Sequence, residues 1–219
     1  MLPIRDKNPS HSIPFIVYLL VTANIFAFVY QLSLPERALD LFVQRYGFIP
    51  ARYLGPSGFL LDPVPWITSM FLHGGFSHLF GNLLYLFIFG DNVEDTLGHR
   101  RFLWFYLTCG LCAAAAQYLN SPGSLVPMVG ASGAISGVLG AYLVLFPRAK
   151  VVTFWWIIFI VRFIEFPAII YLGLWFLYQL VSGLADTQTG GGGVAFWAHI
   201  GGFVAGVVLI KLFTPGSRR

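Results

Sequence analysis

Runs of roughly 20 apolar residues recur along the chain, separated by short polar segments. A run of this length crosses the hydrocarbon core of a bilayer as an α-helix. The pattern therefore predicts six membrane-spanning helices, which we number span one to span six. They lie at residues 14–34, 77–92, 102–119, 130–146, 167–184 and 195–213.

Two other apolar segments are not counted as spans. Residues 36–47 place apolar side chains three and four positions apart with charges between them, which predicts a short amphipathic helix at the membrane interface. Residues 151–161 are too short to span and are followed by Arg162 and Glu165. They are predicted to be re-entrant or interfacial on the cytoplasmic side. The alternative, a seventh span, would break the pattern of charges.

Composition narrows the class of protein. The chain is 57% hydrophobic and 10% charged, whereas a soluble domain has about 45–50% apolar and about 25% charged residues. These values exclude disorder, a nucleic-acid-binding domain and an ordinary cytosolic enzyme. The predicted fold class is an all-α, polytopic membrane protein.

Cys109 and Cys112 lie on one face of span three and are expected to be packing residues rather than a redox pair.

The positions of the 13 Lys and Arg residues predict the orientation. Ten lie before span one, between spans two and three, between spans four and five, or at the end of the chain from Lys211 onward. The other three are in the long loop after span one. By the positive-inside rule, both termini are cytoplasmic. We expect a cytoplasmic segment at 1–13, a six-helix domain at 14–213 and a cytoplasmic tail at 214–219, in the cell membrane. Span one is expected to be retained, because no small-x-small cleavage pattern follows it.

Polar side chains inside spans are costly, so each is a hypothesis about function. His78 and Asn82 are one helical turn apart in span two, Ser132 is in span four and His199 is in span six. Even-numbered spans all start at the outer side. The four residues are therefore expected at one depth, below the outer surface. The odd-numbered spans are expected to carry no comparable set.

Small residues predict that spans four and six pack closely. Gly133 in span four, with Gly202 and Gly206 in span six, would let the two backbones approach until their side chains can hydrogen-bond. Ser132 is then the candidate nucleophile and His199 the candidate general base.

None of the nine Asp and Glu residues lies near His199 in a span, and Asp186 in the preceding loop is the nearest in sequence. A Ser–His dyad is therefore expected rather than a triad. His78, Asn82 and the Ser132 backbone N–H are candidates to stabilise an oxyanion.

Each signal also has a simpler interpretation. A serine in a membrane helix often bonds its own backbone, a lone histidine can be structural, and glycines can serve packing alone. The hypothesis depends on their combination. His73 is expected to be structural, and His11 and His99 lie outside the spans. Gly190–Gly193 has two interpretations of equal weight, a flexible linker or a mobile lid over the site.

Other chemistries lack their motifs. The chain has no His-Glu-x-x-His zinc motif and no Gly-rich phosphate loop, and Ala134 breaks a strict Gly-x-Ser-x-Gly pattern. We therefore expect no metal, no cofactor and no nucleic-acid partner.

Four motifs in order between about residues 66 and 206 resemble the rhomboid family of intramembrane serine proteases. They are HGGFSHLFGN at 73–82, GDNVEDTLGHRRF at 90–102, GASG at 130–133 and AHIGGFVAG at 198–206. The resemblance implies a six-helix bundle with an interfacial first loop. It also implies Ser132 as nucleophile, His199 as base, and His78 with Asn82 supporting the oxyanion. The implied substrates are transmembrane proteins, cleaved near the outer surface after small residues and before helix-weakening ones.

Two positions depart from the pattern of some family members. Trp66-Ile67 stands where a Trp-Arg pair can occur, and Ser136 stands where an aromatic residue can stack on the base. The base must therefore be positioned in another way. Two rival functions remain open: a catalytically silent rhomboid-like protein that binds membrane helices, and a channel or transporter. A channel or transporter would need polar residues along a path rather than at one depth.

Overall fold

The structure, a computed structural model, describes residues 2–54, 62–157, 160–189 and 194–214. Helices dominate it. The α-helices are α1 Phe15–Ser33, α2 Glu36–Tyr46, α3 Val64–Thr68, α4 Phe76–Leu97, α5 His99–Asn120, α6 Ser132–Leu145, α7 Ala168–Thr189 and α8 Phe196–Phe213. Short 3₁₀ helices occupy Pro50–Tyr53 and Ser69–Phe71. The predicted lid or linker at 190–193 and residues 215–219 of the predicted tail lie outside the described residues.

Four helices are long and apolar enough to cross a membrane: α1, α5, residues 168–185 of α7, and α8. The helices at the other two predicted spans do not meet both conditions of length and apolar character, each for its own reason. α4 contains several strongly polar residues, namely His78, Asn82, Asp91 and Asn92, and α6 has only 14 residues. The prediction of a mostly helical membrane fold is confirmed, whereas the count of six spans stays a prediction.

The short helix α6 lies at the centre of the bundle. All its residues from Gly133 to Tyr142 are buried, and α4, α5, α7 and α8 pack around it. Large apolar side chains on the outer helices are exposed, such as Phe26 on α1 at 71% and Leu212 on α8 at 77%. Side chains that face lipid are expected to show this inverted pattern.

A three-stranded antiparallel sheet corrects the all-α prediction. Its strands are β1 Leu2–Asp6, β2 Lys150–Ile157 and β3 Ile160–Pro167, in the order β1-β2-β3. The described residues of the segment at 151–161, predicted to be re-entrant or interfacial, thus lie in two paired antiparallel strands. Its β-branched and aromatic residues favour strands, but a short apolar run has no period that separates a strand from a helix. The predicted N-terminal segment at 1–13 contains strand β1.

The loop between α1 and α4 has a small core of its own. The predicted amphipathic helix at 36–47 corresponds to α2. After it, Phe48 packs against Trp66 with ring centroids 4.6 Å apart and stacks on Tyr53 at 5.1 Å, and Ala114 of α5 completes the cluster. Trp66, at the departure from the family pattern, is therefore a buried anchor of this loop.

Glu94 joins three helices at the end of α4. Its side chain is fully buried, and its two carboxylate oxygens accept the backbone N–H groups of Ile16 and Val17, each at 2.8 Å. These are orphan donors in the first turn of α1, whose N-cap residue Pro14 has no side-chain cap. The carboxylate also bonds the ring of His99 at the start of α5. α4 continues to this point, beyond its predicted end at residue 92.

Removing the Glu94 carboxylate should destabilise the bundle. Glu94→Ala leaves two buried N–H groups without an acceptor, so the free energy of unfolding should fall by about 2–4 kcal/mol. Glu94→Gln retains one acceptor oxygen and should cost less. Reversible unfolding in mixed micelles measures both. The control is Glu36→Ala, an exposed acid in the first turn of α2, and an equal stability of Glu94→Ala and the wild type would contradict this role.

The docking of β1 should depend on pH through Asp6. The pKa of Asp6 is raised to about 6, mainly by burial; the hydrogen bond from the Tyr142 hydroxyl offsets part of the rise, and the nearby Asp91 adds to it. A raised pKa means that the folded state favours the neutral acid. β1 should therefore be held more weakly at pH 7.5 than at pH 5.5.

Hydrogen exchange of the β1 amides, corrected for intrinsic rates, measures this effect. Protection should increase as the pH falls through 6. Asp6→Asn removes the titrating group and should make protection independent of pH in this window. Equal protection of wild-type β1 at both pH values would show that Asp6 does not control docking.

Candidate active site

Ser132 is the first residue of α6 and faces a cavity inside the bundle. The loop before it is held by the Gly130 N–H, which donates to the Ser69 carbonyl at 2.8 Å. Gly130 has φ +125°, a conformation that side chains disfavour. A Cβ there would lie 2.7 Å from His78 Nε2, so glycine is required for space as well. The turn places Ser132 at the start of α6, where the first backbone N–H groups have no acceptor within the helix.

His199 lies within hydrogen-bond distance of Ser132. Its Nε2 is 2.8 Å from the Ser132 Oγ. His199 is in the first turn of α8, where the backbone N–H of the preceding Ala198 donates to the side-chain oxygen of Gln117 on α5 at 3.3 Å. The Gln117 amide therefore caps α8 and ties the start of that helix to α5.

Glycines bring α6 and α8 into backbone contact. A Cβ at Gly202 would lie 2.0 Å from the carbonyl oxygen of Gly133, and one at Gly206 would lie 2.0 Å from that of Gly137. Gly140 makes the same approach to the backbone of Phe203. No side chain fits at these positions, so the glycines set the distance between the two helices. That distance places Ser132 and His199 together.

Gln179 on α7 contacts the second ring nitrogen of His199, the one that does not face Ser132. Its Oε1 is 2.9 Å from His199 Nδ1, and the side chain is only 6% exposed. Gln179 was not among the predicted site residues, because the odd-numbered spans were expected to carry no comparable set of polar side chains. The signal was present, since an amide inside an apolar span is itself unusual.

His78 and Asn82 on α4 lie across the cavity, against Gly130. His78 Nδ1 accepts the backbone N–H of Gly74 at 3.4 Å, which leaves Nε2 as the ring donor. Asn82 is 7% exposed, and its amide nitrogen has no hydrogen-bond partner. Both donors border Gly130, since a Cβ there would be 3.6 Å from Asn82 Nδ2. Two unused N–H donors therefore face the loop before Ser132.

The four predicted polar residues line one cavity of about 580 Å³. Among the described residues of its lining, none is Asp, Glu, Lys or Arg; the titratable side chains are His78, Tyr85 and His199. The cavity is thus polar but uncharged around Ser132 and His199.

Nearby residues have other contacts. Ser136 donates its hydroxyl to the Ser132 carbonyl at 2.6 Å, a bond within its own helix. The backbone N–H and C=O of His73 both bond the Gln31 amide of α1, and its ring packs edge-on to His78 at 5.2 Å. Cys109 is a free thiol that packs against Gly137, which agrees with a packing role.

Adding one methyl group between α6 and α8 should destabilise the protein. Gly206→Ala places a carbon against the backbone of Gly137 and forces the helices apart, at a cost of about 1–3 kcal/mol. The matched control is Gly173→Ala on α7, where a Cβ meets nothing within 4 Å. Thermal unfolding in detergent should show a lower midpoint for Gly206→Ala only. Equal midpoints for the two variants would mean that the glycine contact does not set the helix separation.

Comparison with known proteins gives a consistent family. Residues 62–216 match the Rhomboid domain. The chain is 30% identical over 200 residues to Rhomboid protein 1, mitochondrial, of Saccharomyces cerevisiae, covering 88% of this chain and 51% of that protein. It is 28% identical over 224 residues to RHOMBOID-like protein 1 of Arabidopsis thaliana, covering 91% and 53%. It is 44% identical over 77 residues to Rhomboid protease GluP of Bacillus subtilis, covering 35% and 15%.

The chain thus spans about half the length of the yeast and Arabidopsis relatives, and a smaller share of GluP. The Rhomboid match includes α4 to α8 and every candidate site residue. Together with the apolar helices and the Ser132–His199 pair, it establishes that this chain is a membrane protein of the rhomboid family.

Proposed function

We propose that the protein is an intramembrane serine endopeptidase that cleaves peptide bonds in or near transmembrane segments of other membrane proteins. The observation that carries this proposal is the 2.8 Å contact between His199 Nε2 and Ser132 Oγ in an uncharged cavity of the helical bundle. A hydroxyl is a weak nucleophile alone and is activated by an adjacent base. Curated relatives such as GluP carry the name protease.

In the acylation step, the Ser132 Oγ attacks the carbonyl carbon of the scissile bond while His199 Nε2 takes the hydroxyl proton. The tetrahedral intermediate then expels the amine, which receives that proton from His199. The product is an acyl ester on Ser132. Water, deprotonated by the same nitrogen, hydrolyses the ester and returns the hydroxyl. Every proton in this cycle passes through one imidazole nitrogen.

The oxyanion of the intermediate would be stabilised by neutral donors. His78 Nε2–H and the Asn82 amide are the unused donors beside Gly130, and the Ser132 backbone N–H lies at a helix start. Such donors act strongly in a site of low dielectric constant. Their neutrality matters because a fixed cation would also bind carboxylates and other anions, whereas peptide carbonyl groups carry no net charge.

The length of α6 supports an opening toward one side of the membrane. Its 14 residues measure about 21 Å at 1.5 Å per residue, less than the hydrocarbon thickness of about 30 Å. The Tyr142 hydroxyl near the other end bonds Asp6 of the sheet, on the side assigned to the cytoplasm. Ser132 would then lie below the outer surface, within reach of water from that side.

The topology of the proposal follows the charge pattern. It has six spans, with α4 and α6 joining the four long apolar helices, a domain at 14–213, and cytoplasmic segments at 1–13 and 214–219. The proposed location is the cell membrane, with the site open to the extracytoplasmic side. The yeast relative is named a mitochondrial protein, so membrane fractionation of the source cells tests this part. The partners would be transmembrane protein substrates and the bilayer.

Replacing either member of the proposed dyad should abolish cleavage. Ser132→Ala and His199→Ala, reconstituted with a membrane-anchored substrate, should show no product while thermal unfolding remains close to that of the wild type. Asn82→Ala should reduce kcat by about 10²–10³-fold, as expected for loss of an oxyanion donor. Ser136→Ala is the matched control, since its hydroxyl serves its own helix. Full activity of Ser132→Ala would overturn the mechanism.

A fluorophosphonate probe separates the protease from a catalytically silent helix-binding protein. It should label Ser132 of the wild type, leave Ser132→Ala unlabelled, and react more slowly with His199→Ala. Absence of labelling in both detergent and lipid, with substrate helices still bound, would favour the silent alternative. Labelling at Ser136 would mean that Ser132 is not the nucleophile.

A further inference from the structure

The imidazole of His199 is held at both nitrogens. Nε2 contacts Ser132 Oγ at 2.8 Å and Nδ1 contacts the Gln179 Oε1 at 2.9 Å. The Gln179 side chain is almost fully buried in the bundle. A buried amide is costly in a membrane helix unless it has hydrogen-bond partners, and this one meets the proposed general base.

We propose that Gln179 is the positioning residue of the dyad: its amide carbonyl fixes the ring orientation and the tautomer of His199. This inference rests on the proposed function and adds a third participant, which takes the place of the carboxylate in a Ser-His-Asp triad. Gln179 contacts His199 at Nδ1 and not at the reacting Nε2.

The tautomer of His199 follows from donor and acceptor chemistry. A carbonyl oxygen only accepts hydrogen bonds, so His199 Nδ1 must carry the hydrogen in this contact. A neutral imidazole has one N–H, so the Nε2 lone pair faces Ser132, which is the form that can accept its proton. With the other tautomer, Nε2–H would point at the serine oxygen and no base would be present.

The surroundings leave no other described candidate for this task. Among the described residues lining the cavity, the titratable groups besides His199 are His78 and Tyr85, and neither bonds Nδ1. Ser136 occupies the position from which an aromatic ring could support the base. Its hydroxyl bonds the backbone instead.

Trp175 supplies that support from the same helix as Gln179. It is one turn before Gln179, so both side chains lie on one face of α7. The ring centroids of Trp175 and His199 are 6.1 Å apart, and the angle between the ring planes is 36°. α7 therefore restrains the imidazole at its ring and at Nδ1, and α6 presents the serine at Nε2.

Two substitutions of similar size test the proposal. Gln179→Leu removes the acceptor, and kcat should fall about 10- to 100-fold, by analogy with the loss of the orienting partner of a metal-binding histidine, with KM changed by less than about twofold. Gln179→Glu keeps an acceptor oxygen and should retain most of the activity at its own optimum. A carboxylate there stabilises the imidazolium, so the acidic limb of its pH–rate profile should move to higher pH.

The matched control is Tyr178→Phe, the neighbouring and exposed position on α7; its kcat and pH profile should equal those of the wild type. If Gln179 served packing alone, Gln179→Leu would preserve activity, or Gln179→Leu and Gln179→Glu would lose activity equally and keep the pH profile of the wild type. Either result would overturn the proposal.

A second readout does not depend on cleavage. In protein labelled with nitrogen-15 at its five histidines, the His199 signal is assigned by its loss in His199→Ala. Its chemical shifts should report the Nδ1–H tautomer in the wild type and a mixture in Gln179→Leu. An Nε2–H tautomer in the wild type would refute the role of Gln179. A correct tautomer without any cleavage would instead refute the proposed function and leave the positioning role intact.

Discussion

The contact between the backbones of α6 and α8 is the constraint on which the rest of the site depends. In a membrane, helices gain little from burying apolar side chains, because lipid is as apolar as the protein interior. Close approach at glycines instead gives dense van der Waals contact over the whole length of the short α6. Gly133 and Gly137 lie against Gly202 and Gly206, where a Cβ would come to 2.0 Å of a carbonyl oxygen. At that separation, Ser132 at the start of α6 and His199 at the start of α8 can form a hydrogen bond.

The remaining elements of the site restrain these two residues with uncharged groups. Gln117 caps the start of α8, Gln179 holds the far nitrogen of His199, and Gly130 leaves room for His78 and Asn82. A buried charge at any of these places would carry a large desolvation cost in a membrane. The fully buried carboxylate of Glu94 lies at the opposite end of α4 and binds the start of α1. Charge is thus used for anchoring helices, and neutral hydrogen bonds are used around Ser132.

The pattern of apolar runs predicted the helices well because lipid imposes a simple rule: a span must be long, apolar and internally hydrogen-bonded. Ser132, His199, His78 and Asn82 were singled out as candidates because polar groups are rare in such runs. The sheet was not found, since the strands at 150–157 and 160–167 are set by pairing with residues 2–6, far away in sequence. Gln179 was missed for a related reason. Its importance comes from a contact across 20 positions, which no local spacing shows. The end of α4 was predicted too early because polar residues end the apolar run near residue 92, whereas the buried Glu94 side chain finds hydrogen-bond partners on neighbouring helices.

An experimental structure of the protein after reaction with a phosphonate would test whether helix packing presents Ser132 as a nucleophile, with the oxyanion donors on the far side of the cavity. We expect phosphorus bonded to the Ser132 Oγ, with the phosphoryl oxygen within hydrogen-bond distance of His78 Nε2 and Asn82 Nδ2. An adduct on another residue, or a phosphoryl oxygen directed away from both donors, would contradict this expectation.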